Sequence, residues 1–581
     1  MLSVFLALGI LAQTWAPPAL PKPDECTARG ELMNRLICAT NRLTQPPYSE
    51  EFILADVSFK EKRVFTEYSG DISGRIIGLA ATQALCGRPT CWDLNDLLTK
   101  LVPYQKPDGH FGAPQNLDQG IDASRDMPIL WGNGRMLIGL VEAWNAIHNK
   151  EALEMAKKLG DYYVNTDEYY DHASLVHQFG SEASGFQTCY FSGIEGLVKL
   201  YQATKDKRYL TQAEKMAQLM IDSSPIGEMH SHGRLCADRG LLDLYEVTKD
   251  IQYLNYVIRD ENAFRTQYMF PTGGISEMTG RSWNRDEGCS EADWLRLNLR
   301  LWRLTGTEMY LDTAEMDLLN EMEVNQFPNG GFGHHVCYEE DGLMDGYQAI
   351  TTPGTQEAYW CCSIHAPRAL LETPWYCAAV QGRKIYVNLY EPVKTELKVG
   401  GDLVKIWMDR KNGGSNITLH ILPSHPDTFS MAFRIPLWAN QFTVTDEDGH
   451  PITRLPSPDG RYLIERKWGI DNTIHIHMPY TLSYRMDSDF VIPRNFANLK
   501  APVRAVALYY GPYLLGWDPN GVKLPLGRTF PHVSLSEGRA DINTLSVVFP
   551  AKGDQPEITF QAVGRLAEEG KGFRLRADAE H

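Results

Sequence analysis

The sequence predicts a multidomain α and β chain in which an (α/α)6 helical toroid is followed by one or two β-sandwich domains. Three observations support this prediction. The N-terminal part repeats a helical hairpin, the pattern changes to strand-like segments near Lys384, and the chain is 581 residues long. One hydrophobic core rarely supports a chain of this length, so two or three domains are expected.

The repeated unit consists of an apolar helix end, a short polar turn and a new amphipathic helix start. Thr204-Lys-Asp-Lys-Arg-Tyr209 and Thr248-Lys-Asp-Ile-Gln-Tyr253 are two of the turns. Residues 73–81 and 94–102 have helical apolar spacing and supply further helices. Paired helices of this kind close into a toroid around a central cavity, and an open superhelix is the alternative. The four copies begin at Leu140, Leu197, Leu241 and Asn298.

From about Lys384 the sequence alternates apolar and polar residues and is rich in β-branched side chains, which is typical of strands. Turn-forming residues such as Asp448-Gly449 separate these segments. The predicted strands are 384–390, 417–422, 429–435, 473–478 and 503–510. The predicted domains are a signal peptide (1–16), the toroid (17–380), a β-sandwich (381–516) and a C-terminal β segment or second small β-domain (517–581).

The N-terminal residues predict where the protein acts, and the net charge argues against one class of partner. Residues 1–16 form a short apolar run that ends in Thr14-Trp15-Ala16, a small-x-small cleavage pattern. This predicts a signal peptide and a secreted, periplasmic or extracellular protein, with a buried N-terminal helix as the alternative. No later stretch is apolar over the length that a membrane span needs. A net charge of −17 argues against nucleic acid as a partner.

The most informative feature is Glu287-Gly288-Cys289, which is followed later in the chain by the adjacent pair Cys361-Cys362. Three thiols and a carboxylate can fill a tetrahedral zinc site. The alternatives are a chance Glu-x-Cys sequence and two separate disulfides formed by the adjacent cysteines. The sequence therefore raises zinc as the cofactor without excluding disulfides.

The other cysteines bear on the same question. The chain has eleven cysteines, and in an exported protein each is expected in a disulfide, at a metal or in catalysis. Eight remain when Cys289, Cys361 and Cys362 are set aside, an even number that could pair. The partners closest in sequence are Cys86 with Cys91 and Cys26 with Cys38.

A series of motifs over about residues 71–516 resembles the β-L-arabinofuranosidases of glycoside hydrolase family 127. The resemblance implies a retaining, exo-acting glycoside hydrolase that releases terminal β-L-arabinofuranose, or a related furanose-type sugar. Its carbohydrate substrate would be a plant-type, arabinose-containing glycan or glycoprotein. The motifs are Gln105-Lys-Pro-Asp-Gly-His-Phe111, Thr272-Gly-Gly-Ile-Ser-Glu277, Glu287-Gly-Cys289, Cys361-Cys362, Phe433-Arg-Ile-Pro-Leu-Trp-Ala439 and Val506-Ala-Leu-Tyr-Tyr-Gly-Pro512.

The resemblance also implies roles for individual residues. Cys361 would be the nucleophile and Glu277 the acid/base, with Glu291 or Asp286 as alternatives for the acid. His232 would contact the sugar, with a purely structural core histidine as the alternative. The residues implied to bind zinc are Glu287, Cys289, Cys361 and Cys362.

Elementary chemistry supports those roles. A retaining glycosidase needs one group that attacks the anomeric carbon and another that protonates the leaving oxygen and then activates water. Cysteine can replace the usual carboxylate nucleophile when it is a thiolate, and a thiol that coordinates zinc is deprotonated. Trp131, Trp283 and Trp360 lie near the motifs and would stack on a sugar or pack in the core.

Two other functions fit the same pattern. Helical toroids also carry hydrolases, lyases and epimerases that act on other sugars and need no cysteine–zinc centre. A non-catalytic carbohydrate-binding protein would use zinc only as a structural ion with all four ligand positions closed. Metal content distinguishes the first alternative. In the second, Cys361→Ser would lose stability and metal together, with no selective effect on turnover.

Overall fold

The computed structural model describes residues 15–181, 183–224, 227–280, 285–340, 343–352, 355–411, 414–486, 494–495 and 503–580. Most of the predicted signal peptide and Trp283 lie outside the described residues. No helix within these ranges is both long enough and apolar enough to cross a membrane.

Six inner helices of the described chain form a closed ring. Each inner helix contacts the next along the sequence, and the last contacts the first. This closure confirms the toroid and is incompatible with an open superhelix. The inner helices are Asp71–Leu85, Ala123–Ile147, Gly193–Thr204, Ser231–Thr248, Gly288–Thr305 and Cys362–Cys377.

Each inner helix packs against an outer helix, and the last pair closes the ring across the sequence. The final inner helix Cys362–Cys377 packs against the N-terminal helix Gly30–Arg42. The other outer helices are Leu94–Leu101, Lys150–Asn165, Lys207–Ser223, Ile251–Gln267 and Met309–Met316. Shorter helical segments are Glu50–Ser58, Asp167–Tyr170, Ala173–Phe179, Phe186–Phe191, the π-helical Asp317–Glu321 and Met322–Asn325.

The repeated polar turns end one helix and begin the next, as the sequence predicts. Lys205 and Lys249 end inner helices in the left-handed conformation, each with φ 63°. Asp206 and Asp250 follow them, and each side chain accepts a hydrogen bond from a backbone N–H of the next helix. Such N-caps typically stabilise a helix by about 1 kcal/mol. Gly306 occupies the equivalent left-handed position in the last copy.

Two sheets after the toroid form the predicted β-sandwich. Their strands alternate buried and exposed residues, and the buried ones from both sheets share one apolar core. The first sheet contains, in order, Cys26–Ala28, Val393–Val399, Asp402–Lys411, Asn416–Pro423, Asn472–His477 and Thr443–Asp446. The second contains Tyr462–Trp468, Asp427–Phe433, Lys384–Val387 and Ala378–Gln381.

The C-terminal sheet corrects a predicted boundary. We expected residues 381–516 to form one sandwich. Val503–Tyr510 pairs instead with Leu482–Arg485 and with the C-terminal strand Arg576–Glu580, antiparallel to both. These ladders use the backbone hydrogen-bonding groups of Val503–Tyr510, so this strand does not belong to the sandwich. The last sandwich strand along the chain is Asn472–His477. The remaining strands of this sheet are Arg494–Asn495, Tyr513–Gly516, His532–Ser534, Arg539–Asp541, Ser546–Phe549 and Ile558–Ala562.

Two small sheets lie mainly in the chain segment before the last inner helix. Gly333–His334 pairs with Gln356–Glu357 just before the last inner helix. Leu343–Tyr347 pairs with Cys337–Glu340 and with Phe573–Arg574 from the C-terminal region. The loops that carry the site residues are therefore tied to the rest of the chain by backbone hydrogen bonds.

The expected disulfides are absent: all eleven cysteines, which lie within the described residues, are free. The two pairs that are close in sequence belong to different local structures. Cys26 lies on a strand and donates to Pro374 O, whereas Cys38 is exposed on the first outer helix. Cys91 donates to Thr40 O and does not bond to Cys86.

Arg434 joins the sandwich to the toroid, and its removal is expected to destabilise the protein. Its side chain is 1% exposed and donates to the carboxylates of Asp312 (2.7 Å) and Glu315. We expect Arg434→Ala to lower the free energy of unfolding by about 3 kcal/mol, because two buried carboxylates lose their cation. Arg383→Ala is the control, since Arg383 is 48% exposed in its pair with Asp427. Equal changes in urea denaturation of the two variants would contradict this account.

Candidate active site

The predicted zinc residues lie at the N-terminal ends of two neighbouring inner helices. Glu287 is the N-cap of Gly288–Thr305, and Cys289 lies in its first turn. Cys361 is the N-cap of Cys362–Cys377. The ring brings these two helix starts together although they are far apart in the sequence. Helix N-termini carry partial positive charge, which stabilises carboxylates and thiolates placed there.

The three thiols are in mutual contact. The Sγ atoms of Cys361 and Cys362 are 3.3 Å apart, and those of Cys289 and Cys362 are 3.6 Å apart. Arg75 Nη1 lies 3.3 Å from Cys289 Sγ, and Arg75 Nε pairs with Asp71 Oδ1 at 2.6 Å. The guanidinium thus faces a group that can carry negative charge.

The thiols differ in acidity and in access. Hydrogen bonds from Cys289 and Cys362 lower the pKa of Cys361 to about 6. Burial raises the pKa of Cys289 and of Cys362 well above the ordinary thiol value. Cys361 also lines the cavity and is 9% exposed, whereas the other two are fully buried. Cys361 is therefore the thiol that is both ionised near neutral pH and reachable by a ligand.

The donor set suits a metal ion. Ligand atoms of Glu287, His334, Cys361 and Cys362 lie within 4.8 Å of one another. Cys289 adjoins this group through its 3.6 Å contact with Cys362. Two donors bound to one tetrahedral zinc ion, each at about 2.3 Å, stand about 3.8 Å apart. The sulfur separations approach that value, so the residues present fit zinc.

His334 is a member of this group that the sequence analysis missed. It lies on the short strand Gly333–His334, with Nε2 3.9 Å from Cys362 Sγ and Nδ1 4.0 Å from Glu277 Oε1. Within the described part of the chain, its buried Nδ1 has no hydrogen-bond partner. The available signal was a histidine pair after the glycine-rich Gly330-Gly-Phe-Gly333, which alone does not distinguish a ligand from a core residue.

Glu277 lies at the cavity, in contrast to the two alternative acids. Its carboxylate accepts two hydrogen bonds from Arg285, one of them 2.9 Å long from Nη2. Both side chains line the cavity. Asp286 and Glu291 are fully buried, and each accepts a backbone N–H, from His335 and Ile275 respectively. Of these three carboxylates, only Glu277 is placed to meet a ligand.

His230, just before the inner helix Ser231–Thr248, is a second histidine beside the site that the sequence analysis did not assign a role. Its Nε2 lies 3.2 Å from Glu287 Oε2. Burial opposes charge on His230, but the Glu287 carboxylate outweighs it and raises the pKa of His230. Although burial disfavours the carboxylate, His230 holds the pKa of Glu287 well below its ordinary value. The pair fixes Glu287 as an ionised carboxylate next to the thiols.

His232 lines the cavity, and both of its ring nitrogens have partners. Asp293 Oδ2 lies 2.9 Å from its Nδ1, and Arg135 Nη2 lies 3.3 Å from its Nε2. Burial lowers its pKa well below the usual range, so the ring is neutral. Asp293 also accepts from His365 Nε2 at 2.9 Å. A ligand hydroxyl would therefore bond to this neutral ring by replacing Arg135 at Nε2.

The cavity has a volume of about 310 Å³, at the small end of the range for ligand pockets. Trp131 and Trp360 both line it, as one interpretation of the sequence anticipated. Trp131 is almost fully buried and packs edge-on against His232, with the Arg135 guanidinium 4.3 Å from its ring centroid. Trp360 is partly exposed and precedes Cys361. Polar and aromatic groups thus share the cavity wall.

The fold and the site together define a glycoside hydrolase. Residues 68–371 match the family model described as the β-L-arabinofuranosidase GH127 catalytic domain. Residues 384–480 match the GH127 middle domain. The chain therefore belongs to the β-L-arabinofuranosidase family of glycoside hydrolases, family 127, and its substrate is a carbohydrate.

Solved structures share the fold over nearly the full length. A GH127 β-arabinofuranosidase has a TM-score of 0.73 at 18% identity, with 97% of this chain and 98% of that chain covered. A GH127 β-L-arabinofuranosidase from Geobacillus stearothermophilus T6 has a TM-score of 0.67 at 15% identity, with 96% and 100% covered. No curated protein sequence matches the chain. At these identities the likeness concerns the fold and does not transfer a substrate.

Proposed function

We propose that the protein is a retaining, exo-acting hydrolase that releases terminal β-L-arabinofuranose, or a related furanose-type sugar, from a plant-type glycan or glycoprotein. Cys361 is the nucleophile and Glu277 the acid/base. The observation that carries this proposal is the position of Cys361. It is the one thiol of the three that lines the cavity, and its pKa is lowered to about 6.

The proposed reaction has two displacements. The Cys361 thiolate attacks the anomeric carbon while Glu277 gives its proton to the departing glycosidic oxygen. This forms a carbon–sulfur bond and releases the leaving group as an alcohol. Glu277, now a carboxylate, takes a proton from water, and the oxygen of that water attacks the anomeric carbon. The carbon–sulfur bond breaks, the thiolate is restored, and two inversions give net retention.

Glu287, Cys289, Cys361 and Cys362 would hold the zinc ion, and His334 lies within reach of the same group. A thiol that coordinates zinc is deprotonated outright, so the bound ion would keep all three thiols ionised. Arg75 and the two helix N-termini stabilise negative charge on the same sulfurs. His230 keeps Glu287 ionised, which suits a metal ligand.

The cavity supports exo action on a single terminal sugar. Its volume of about 310 Å³ suits a short ligand. His232 is a candidate for the sugar contact, because Asp293 orients its ring at the cavity wall and burial keeps the ring neutral; a sugar hydroxyl would replace Arg135 at Nε2. Cys361 is the one thiol of the cluster at the cavity wall, so a sugar would enter with its anomeric carbon toward Cys361.

Metal analysis joined to kinetics tests this proposal. We expect the purified protein to contain about one zinc ion per chain and to hydrolyse an aryl β-L-arabinofuranoside with retention, seen by NMR of the first-formed anomer. Cys289→Ala should lose both zinc and hydrolysis, because one ligand of the cluster is gone. Cys91→Ala, a half-buried cysteine outside the site, is the control. Inversion, or full activity in metal-free protein, would refute the mechanism.

We also propose that residues 1–16 direct export. Trp15 lies just before the predicted cleavage site after Ala16. In the uncleaved chain its Nε1 donates to Arg303 O at 2.9 Å, and its ring lies 5.7 Å from that of Tyr386. Cleavage after Ala16 would remove these contacts. Sequencing the N-terminus of the protein made by its native cell tests the proposal. A mature chain that starts at or near Pro17 supports export, and an intact Met1 supports the alternative N-terminal helix.

A further inference from the structure

We propose that Phe65, Tyr68 and Trp360 form a binding site for the leaving group, and that this site takes a second sugar ring. The inference rests on the proposed function and extends it to the substrate on the far side of the cleaved bond. All three residues line the cavity. Phe65 is 46% exposed, whereas Cys361 is 9% exposed, so the aromatic side chains lie toward the mouth and the thiol toward the base.

Phe65 has a backbone conformation that its position in the chain does not require. Its φ is 59°, in the left-handed region that non-glycine residues rarely adopt. Phe59 is also left-handed, with φ 53°, but it ends the helix Glu50–Ser58, where that conformation is common. Phe65 lies in a turn, in which its own carbonyl oxygen accepts a hydrogen bond from the backbone N–H of Tyr68. Strained residues that present an exposed side chain concentrate at ligand-binding sites.

The turn that carries Phe65 is anchored to two helices. The buried Arg63 side chain pairs with Asp56 at 3.2 Å and donates to Phe52 O at 3.1 Å. Asp56 also accepts from the Ser73 hydroxyl of the first inner helix at 2.9 Å. These contacts hold the turn on the N-terminal side of Phe65, which reduces the ordering that binding would require.

The three aromatic rings surround the way out of the cavity. The Phe65 ring centroid lies 5.7 Å from that of Tyr68 and 6.3 Å from that of Trp360. The Tyr68 hydroxyl bonds to Ser184, which fixes it from the opposite loop. Trp360 directly precedes Cys361. A nucleophile at the base expels the leaving group in the opposite direction, which is toward these rings.

The chemistry of the rim favours a sugar as the occupant. A saccharide ring has a face of C–H bonds that packs on an aromatic ring and an edge of hydroxyls that needs polar partners. Phe65 supplies an apolar face, while Tyr68 and Trp360 combine an apolar ring with a polar atom. Arg285, on the wall of the same cavity, adds further N–H donors. The rim thus matches both surfaces of a second sugar.

Three substrates that share the same terminal sugar test this site: methyl β-L-arabinofuranoside, a β-L-arabinofuranosyl disaccharide and a peptide-linked β-L-arabinofuranoside. We expect Phe65→Ala to lower kcat/KM for the disaccharide about tenfold, the effect of losing part of a buried phenyl contact. Hydrolysis of the methyl glycoside should be unchanged, which also shows that the variant is folded. Phe59→Ala is the matched control, being equally exposed (47%) and left-handed but outside the cavity. It should change neither rate.

Each other outcome is decisive. Equal losses on the methyl glycoside and the disaccharide would overturn the leaving-group site while leaving the proposed function intact. A loss confined to the peptide-linked substrate would replace the sugar by a peptide and overturn the proposal. If the parent protein hydrolyses none of the three, the proposed function fails, and the site fails with it.

Discussion

Cys361→Ala is expected to lower kcat for β-L-arabinofuranoside hydrolysis by about 10⁴-fold or more, the usual cost of removing a nucleophile. The reason is that, of the three clustered thiols, Cys361 alone lines the cavity. Cys289 and Cys362 are fully buried, and burial holds the pKa of each thiol high. Steady-state kinetics with an aryl glycoside measures the loss. A good leaving group should not restore the rate, because the displacement that expels it lacks its nucleophile.

The control for this variant is Cys377→Ala, which lies at the other end of the same inner helix. Cys377 is fully buried, and its thiol donates only to the backbone of Thr373. Its replacement should cost some stability and leave the kinetics unchanged. If Cys361→Ala retained more than about one hundredth of the parent rate, a loss far below that of a nucleophile, the assignment would be wrong.

Glu277→Gln is expected to lower kcat by about 10²- to 10⁴-fold, the usual contribution of general acid–base catalysis. The loss should be largest for sugar and alkyl leaving groups, which need a proton, and smaller for nitrophenol. Added azide should restore turnover with the nitrophenyl substrate, because azide attacks the glycosyl–enzyme without needing a base. The product would then be a β-linked glycosyl azide, detectable by NMR.

Glu291→Gln separates this assignment from its alternative. Burial raises the pKa of Glu291 well above the ordinary value, which favours the neutral carboxyl that an amide resembles in charge. We expect near-parent kinetics for this variant. Leaving-group dependence and azide rescue in Glu291→Gln, and not in Glu277→Gln, would move the acid/base role to Glu291.

Much of the fold was predictable because it is encoded locally. The helical hairpins repeat the same Lys-Asp turn, in which a left-handed residue ends one helix and an aspartate caps the next. Strand alternation likewise marks Asn416–Pro423. The sheet boundary after His477 was not predictable, since strand pairing joins residues far apart in sequence. The sequence pattern of Val503–Tyr510 predicts a strand but does not indicate which of the two sheets it joins.

The site was predictable only where its residues form compact sequence motifs. Cys361 and Cys362 stand out because two cysteines in a row are unusual, and the resemblance to a known family adds Glu287 and Cys289. His334 belongs to no such motif, and only the short strand before the last inner helix brings it to the thiols. The free state of the other cysteines also depends on packing, because closeness in sequence does not fix the direction of a side chain.

The central claim is a covalent bond between Cys361 and the sugar, and trapping that bond tests it most directly. A cyclitol epoxide with the β-L-arabinofuranose configuration places an electrophilic carbon where the anomeric carbon would lie, and acid–base groups assist its opening. Peptide mass mapping of the inactivated protein should find about one label per chain, on the peptide that contains Cys361. Glu277→Gln should be labelled more slowly at the same residue. Inactivation with the label on Glu277, or on any residue other than Cys361, would contradict the account.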